Sequence, residues 1–269
     1  MARDAPPDVT EQPPTAPRHL VGRASALLRA VAAHEPDGVT TAAAARAGGL
    51  ARPSAHRLLV SLADEGLVDR DSTTGRWLLG PELYLLGARA RPRYDVTDQA
   101  APSVRRLAET TGESAFLSAR RGDETVCLLR EDGSFPLRSH VLHVGIRFPL
   151  GVASAGLALL AYLPDEEVEE VLARVDLSPY GDAHAPSAVR QRVRRTRRDG
   201  YALNPGLLVE GSWGMAAAVF DDQERPRWAL SLTGVERRFI PARRRELGPL
   251  LLREAHDLTR RLRGRSHPA

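Results

Sequence analysis

Residues 38–80 read "GVTTAAAARAGGLARPSAHRLLVSLADEGLVDRDSTTGRWLLG". Thr40 or Thr41 can cap a short helix, "TAAAARA", and the pair Gly48 and Gly49 ends it, because glycine accepts the left-handed conformation that closes a helix. A turn of three to four residues leads into "RPSAHRLLVSLADEGLV" (52–68), a longer helix with Pro53 favoured in its first turn. Leu58, Leu59, Leu62 and Leu67 make an apolar stripe, whereas Arg52, Ser54, His56 and Arg57 crowd polar donors into the first turns. The segment 67–80 reads as a strand, a polar turn closing on Gly75, and a second strand through Trp77 and Leu79. Upstream, "RASALLRAVAAHEPDG" (23–38) places Ala26, Leu27, Ala30 and Val31 on one helical face and stops at Pro-Asp-Gly. Helix, helix, glycine turn, helix and hairpin predict a winged helix-turn-helix over 20–80.

No acidic residue occurs from Gly38 to Leu62, while Arg46, Arg52 and Arg57 supply a positive face that a duplex phosphate backbone favours. In a helix-turn-helix the N-terminal part of the second helix enters the major groove, which is where Arg52, Ser54, His56 and Arg57 cluster. Arginine can bond guanine bidentately, Ser54 or Thr41 can hold phosphates that set the register, and Arg76 in the wing reaches a flanking phosphate. Winged helices also serve as protein–protein modules, in which these residues are only a solvated face; replacing Arg52 and Arg57 separates the two readings.

The chain of 269 residues, 42% apolar, is long enough for two domains with packed cores. Its pI near 9.8 permits an anionic partner, but a net charge of +4 does not demand one. There is no lysine, so all 38 basic residues are arginine and a single arginine is weak evidence of function. The apolar stretch "GVASAGLALLAYL" (151–163) falls short of the roughly 20 residues of a membrane span. The N-terminal residues carry acids and prolines where a secretory signal has an apolar core, so a disordered tail over 1–19 and a cytoplasmic protein without a membrane partner are expected. The single cysteine, Cys127, excludes an intramolecular disulfide and reads as a small buried residue. His140 and His143, three apart on an expected strand, turn to opposite faces and make a poor metal pair, so no metal or other cofactor is expected.

Residues 81–97 read as a linker helix that turns arginine-rich before Pro92. The second domain, 98–269, opens with a helix over 98–112, followed by the strands "ESAFLSARR" and "ETVCLLRED" joined at Gly122 and Asp123. A third strand, "FPLRSHVLHVG" (135–145), leads to an apolar helix over 154–163. An acidic helix (164–175) and an arginine-rich helix (185–200) follow, the latter with Val189 and Val193 on one side and available to pair with its acidic neighbour or with another subunit. Two strands, "SWGMAAAVF" and "RWALSLTG", and a terminal helix over 240–263 complete an α+β domain around a mainly antiparallel sheet. Ser154, His143 and Asp222 can be imagined as a hydrolase triad, and an enzyme using a cleft in this domain stays open as an alternative, although nothing in the sequence forces the three together.

The sequence resembles the IclR family of bacterial transcriptional regulators. The matching stretches are "GLARPSAHRLLVSLADEGLVDRDSTTGRWLLGPELYLLG" (49–87), "TTGESAFLSARRGDETVCL" (110–128), "VGIRFPLGVASAGLALLAYLP" (144–164), "RRDGYALN" (197–204) and "WALSLTG" (228–234). The resemblance implies a winged helix-turn-helix followed by a linker helix and an effector-binding domain related to the GAF and PAS folds. It implies a homodimer or dimer of dimers on a palindromic double-stranded operator, acting as a repressor under control of a small organic acid or aromatic effector. It also implies an effector pocket formed by Leu137 on the third strand, Ser154 and Ala155 opening the apolar helix, Asn204, Gly214, Ser231 and Thr233. Relatives often carry serine where Pro53 stands, an acid at Asn204 and a cysteine at Gly214. The expectation is therefore an operator sequence of this protein's own, and an effector larger or less polar than glyoxylate or pyruvate.

Overall fold

The computed structural model describes residues 19–90, 96–137 and 141–265, which fall in two compact units, one ending by residue 94 and the other starting at 95. The tail expected over 1–19 lies outside the described residues except for His19, as do 91–95 of the expected linker and His140 of the histidine pair. No described helix is long and apolar enough to cross a membrane.

The first unit contains α1 (Leu20–Ala32), α2 (Thr41–Ala47), α3 (Arg52–Asp64), β1 (Val68–Arg70), β2 (Trp77–Leu79) and α4 (Pro81–Ala90). Leu27 and Val31 of α1, Ala44 of α2, Ala55 and Leu59 of α3, and Val68 and Trp77 of the hairpin form its core. The chain leaves α2 through Gly49 at φ +63° and enters α3 four residues after α2 ends, so the two helices pack closely. β1 and β2 pair antiparallel from Val68↔Leu79 to Arg70↔Trp77. Gly80 closes the wing onto the end of α3, where a Cβ would lie 2.1 Å from the Gly66 carbonyl oxygen, so only glycine fits.

The second unit runs α5 (Val96–Thr111), β3 (Ser114–Arg121), β4 (Glu124–Glu131), β5 (Arg147–Pro149), α6 (Ser154–Leu160), α7 (Asp165–Arg174), α8 (Pro186–Asp199), β6 (Ala202–Pro205), β7 (Ser212–Phe220), β8 (Pro226–Val235) and α9 (Pro241–Arg265). Its six strands form one antiparallel sheet in the order β5-β4-β3-β8-β7-β6. Helices α5 and α9 cover one face, with Leu107, Leu117, Met215, Leu230 and Leu251 between them and the sheet. Helices α6, α7 and α8 cover the other, over Phe116, Leu157, Val171, Val189 and Ala216. Because both faces of β7 and β8 are buried, their sequences read as continuous apolar runs in which alternate residues serve different cores.

Two expectations are corrected. The described part of 135–145 contains no strand; the short β5 starts two residues later and pairs with Glu124–Val126. Pro136 has no amide hydrogen for a ladder, and the sequence neighbours Val141 and Leu142 are both buried, which strand alternation forbids. The edge strand β6 was not anticipated, being four residues long with Pro205 at its end. The arginine-rich α8 does pair with the acidic α7: Arg190 donates twice to Glu169 at 2.7 and 2.6 Å, and Arg197 to Asp165 at 2.6 Å. Cys127 is buried, and burial pushes its thiol to about 12, leaving it protonated and inert.

Glu113, whose side chain is 1% exposed, accepts hydrogen bonds from Arg238 at 2.7 Å and Arg243 at 3.4 Å, fastening the start of β3 to the entry of α9. Replacing it with alanine leaves two part-buried guanidinium groups without their carboxylate, holding only the Thr111 carbonyl, a loss of roughly 3 kcal/mol. For Glu113→Ala, calorimetry should show a melting temperature about 6–12 °C below that of the parent protein; a fall of less than about 2 °C contradicts this assignment.

Candidate nucleic-acid interface and ligand cleft

Helix α3 turns Ala55, Leu59 and Leu62 into the core and leaves Arg52, Pro53, His56, Arg57 and Val60 exposed on one outer face, with Ser54 half-buried at its edge. No side chain caps its start, and the first intrahelical bond is Ala55 N–H to Ala51 C=O, so the Arg52 and Ser54 amides are not used within the helix. Pro53 contributes no donor to that end. The guanidinium groups of Arg46, Arg52 and Arg57 have no hydrogen bond or ion pair among the described residues. Uncapped amides at a helix start and unpaired arginines beside them form an anion-seeking surface. Val60, 39% exposed beside Arg57, was not expected there; the sign in the sequence was an apolar residue out of step with the buried stripe.

Trp77 sets this surface. Its ring is 1% exposed, its indole N–H donates to Thr41 Oγ1 at 2.9 Å, the edge of His56 approaches it at 6.3 Å, and the Arg70 guanidinium lies 5.5 Å over it. The cap of α2 is therefore Thr40, whose hydroxyl accepts from the Ala43 amide, while Thr41 serves the tryptophan. Arg76, expected to reach a phosphate, donates instead to the carbonyl oxygens of Asp37 and Gly38. The wing's other arginine, Arg70, was missed by the sequence reading. Asp71 closes the wing turn by accepting from the Thr73 and Thr74 amides and the Thr74 hydroxyl, bonds that hold its carboxyl below the usual range.

In the second unit, Asn204, Gly214 and Thr233 stand side by side in one row of the sheet, Asn204↔Gly214↔Thr233, continued by Ser114 on β3. Ser154 begins α6 directly above that row, and a Cβ on Gly214 would come within 3.1 Å of its hydroxyl, so this glycine permits the close approach of helix to sheet. Ser154, Asn204, Gly214 and Thr233 line a cleft with Val141, Leu142, Ala153 and Leu208, four residues not expected there from the sequence. Its volume is only about 20 Å³. Thr233 Oγ1 and, two residues deeper on β8, Ser231 Oγ are buried without a hydrogen-bond partner among the described residues. Asn204 is engaged within the fold, donating to Val152 C=O at 3.0 Å and accepting from the Leu207 amide at 2.9 Å. Ala155 is buried within α6, while Leu137 is 64% exposed; neither lines the cleft, and Leu137 is not on a strand.

The imagined triad is not assembled. Ser154 sits over the Gly214 end of β7, whereas Asp222 is exposed in the turn beyond Phe220, about eight strand residues or roughly 26 Å away. His143 is exposed and its Nδ1 faces its neighbour's carbonyl. Among the described residues no cluster of three metal-ligating side chains occurs.

Two family models match the chain: "IclR helix-turn-helix domain" over residues 20–72 and "Bacterial transcriptional regulator IclR C-terminal" over 89–260. The transcriptional repressor IclR of Escherichia coli is 26% identical over 260 residues, 96% of this chain and 94% of that protein. The HTH-type transcriptional regulator TtgV of Pseudomonas putida is 35% identical over 192 residues, 71% of this chain and 73% of that protein. Among solved structures, an IclR homologue from Microbacterium hydrocarbonoxydans complexed with 4-hydroxybenzoate superposes with a TM-score of 0.73 at 23% identity, covering 91% of this chain and 99% of that one. The Thermotoga maritima IclR superposes with a TM-score of 0.69 at 24% identity, covering 90% and 98%.

If Thr41 supports Trp77, Thr41→Val leaves a buried indole N–H without an acceptor and costs roughly 1–3 kcal/mol, whereas Thr41→Ser is close to neutral. Chemical unfolding followed by tryptophan fluorescence should separate the two variants; equal midpoints would show that the bond carries no weight.

Proposed function

The chain belongs to the IclR family of bacterial transcriptional regulators, and we propose that it represses transcription as a dimer whose two α3 helices lie in successive major grooves of a palindromic operator. The observation that carries this reading is the outer face of α3: uncapped amides, and Arg52 and Arg57 unpaired among the described residues, on a helix whose other side packs into the core. Arg52, His56 and Arg57 read base edges, Val60 offers an apolar contact to a thymine methyl group, and Ser54 and Thr41 hold phosphates. Pro53 shapes the helix start, and Arg70 and Arg76, each held by backbone carbonyls, serve the wing. The four-residue spacing between α2 and α3 supports this mode of docking, as does the absence of acids from Gly38 to Leu62. Such a regulator works in the cytoplasm, where its operator is, and uses no cofactor.

The ligand side of the proposal rests on the buried hydroxyls of Thr233 and Ser231, two polar groups that an effector would satisfy, and on Ser154 at the start of α6. An aromatic acid suits this set: the carboxylate at the α6 amides, the ring against Val141, Leu142 and Leu208. The 4-hydroxybenzoate bound by the Microbacterium relative supports that class. A cleft of about 20 Å³ is smaller than any such molecule, so binding requires the segments 141–146 and 206–211 to part. That opening gives the effector its differential affinity for two states of the repressor.

Fluorescence anisotropy with DNA flanking the protein's own gene tests the first part. Affinity should fall steeply with salt, and Arg52→Ala or Arg57→Ala should weaken specific binding about tenfold or more. Retention of full affinity by both variants would refute the placement of α3. For the second part, 4-hydroxybenzoate should raise the melting temperature of the protein in proportion to occupancy. Thr233→Val should reduce that rise by the share owed to this cleft; an unchanged rise would move the effector elsewhere.

A further inference from the structure

A second cavity lies at the other end of α6, where the α6–α7 connection meets the β3–β4 and β7–β8 turns. It is a half-open recess of about 600 Å³, within the size range of small-molecule sites. From Ser154 to Tyr162 is eight residues of mostly helical rise, about 12 Å, so the two sites flank one wholly buried helix.

One wall is apolar: the ring of Tyr162, 41% exposed and braced edge-on against Phe220, together with Leu163, Pro164 and Pro226. The other wall is charged, and most of its charge is already spent. Arg120 donates to Glu167 at 2.7 Å, Arg227 to Asp221 at 3.1 Å, and Glu224 meets Arg263 at 3.5 Å. Arg225 has no ion pair or side-chain hydrogen bond among the described residues and keeps its full charge at the cavity. The carbonyl oxygens that end α6 offer nothing to a cation, because Arg197 already donates to Ala161 C=O and Leu163 C=O. Beside Arg225, Glu224 is held at φ +61°, a left-handed conformation unfavourable for a side chain of its kind. Backbone strain of this sort persists where the surroundings enforce it and gathers at ligand-binding loops.

We propose that this cavity is a second ligand site, separate from the cleft at Ser154, which takes a flat aromatic monocarboxylate with its ring on Tyr162 and Pro226 and its carboxylate on Arg225. A cation would face a net positive rim, and a neutral apolar molecule would leave Arg225 without a partner. Occupancy there bears on the far end of the helix that begins at the first cleft, which puts both ligand sites on one buried element.

Isothermal titration calorimetry of the full chain with 2-naphthoate tests the assignment. The expected result is a binding step that Arg225→Glu weakens at least about tenfold and Arg225→Gln weakens less, while Thr233→Val leaves it unchanged. Arg225 is an exposed turn residue, and the far-ultraviolet circular dichroism and melting temperature of both variants should match the parent protein. The proposal is overturned by the absence of any binding step tighter than about 1 mM, by equal affinity in Arg225→Glu, or by loss of the only step in Thr233→Val. Because the Thr233 cleft is read out by its own variant, failure of this site leaves the effector reading standing, and the reverse.

Discussion

Burial of the Trp77 indole obliges its N–H to find an acceptor, and the geometry of the winged helix follows from where that acceptor is. Thr41 supplies it from the first residue of α2, Val39 exchanges two backbone hydrogen bonds with Trp77 at 2.8 and 2.9 Å, His56 meets the ring from α3, and Arg70 covers it from the wing. One side chain thus ties together the entry to α2, the first turns of α3 and the hairpin. A helix that reads base edges has to be held to a fraction of an ångström, and a rigid ring wedged between three elements does that better than flexible aliphatic contacts. The hydroxyl of Thr41 accepts from the indole with its oxygen and still has its own hydrogen to donate. Support of Trp77 and contact with a phosphate are therefore compatible roles for the same group.

The second unit obeys a different constraint. Its sheet is covered on both faces, so α6 can come down on the Asn204–Gly214–Thr233 row only where a side chain is missing, and Gly214 is that place. The close approach brings Ser154 over the sheet and buries the hydroxyls of Thr233 and Ser231 under it. Leaving two such groups without partners costs roughly 1–3 kcal/mol each. A fold optimised for stability alone would have valine or alanine there. The stability given up at this spot is the observation behind the effector site proposed there.

Much of this was legible from the residues. Gly49, Gly66, Gly75 and Gly122 act locally, through left-handed backbone conformations the chain needs at those points, and the elements they separate could be read from the apolar spacing between them. The row Asn204–Gly214–Thr233 was reached through family resemblance, since nothing local in three distant segments says that they lie side by side; strand register does. The same non-local pairing explains what went wrong. The segment 135–145 has apolar residues and no glycine until its end, yet among the described residues the β4 backbone takes up only 145–149, so Leu137 falls outside the cleft and Val141 and Leu142 enter it. Arg76 and Arg70 are indistinguishable as wing arginines until Arg76 is seen to bond the carbonyls of 37–38, and Arg70 to bond the Gly75 carbonyl and cover Trp77.

Arginine identity is uninformative in a chain whose every basic residue is arginine, and pairing is what restores the information. Arg106, Arg120, Arg174, Arg190, Arg197 and Arg238 each meet a carboxylate within hydrogen-bond distance. Their charge is spent on joining helix to helix or helix to sheet. Beyond a Debye length of about 8 Å at physiological salt, such pairs present almost no field. Arg46, Arg52 and Arg57 sit in a stretch with no acid at all, so their field survives although the whole protein carries only +4. The electrostatic attraction that a duplex would feel is therefore decided less by where the arginines are than by where the carboxylates are not. A substitution that introduced a single acid into α2 or the outer face of α3 would erase more of that attraction than the loss of any one arginine elsewhere on the surface.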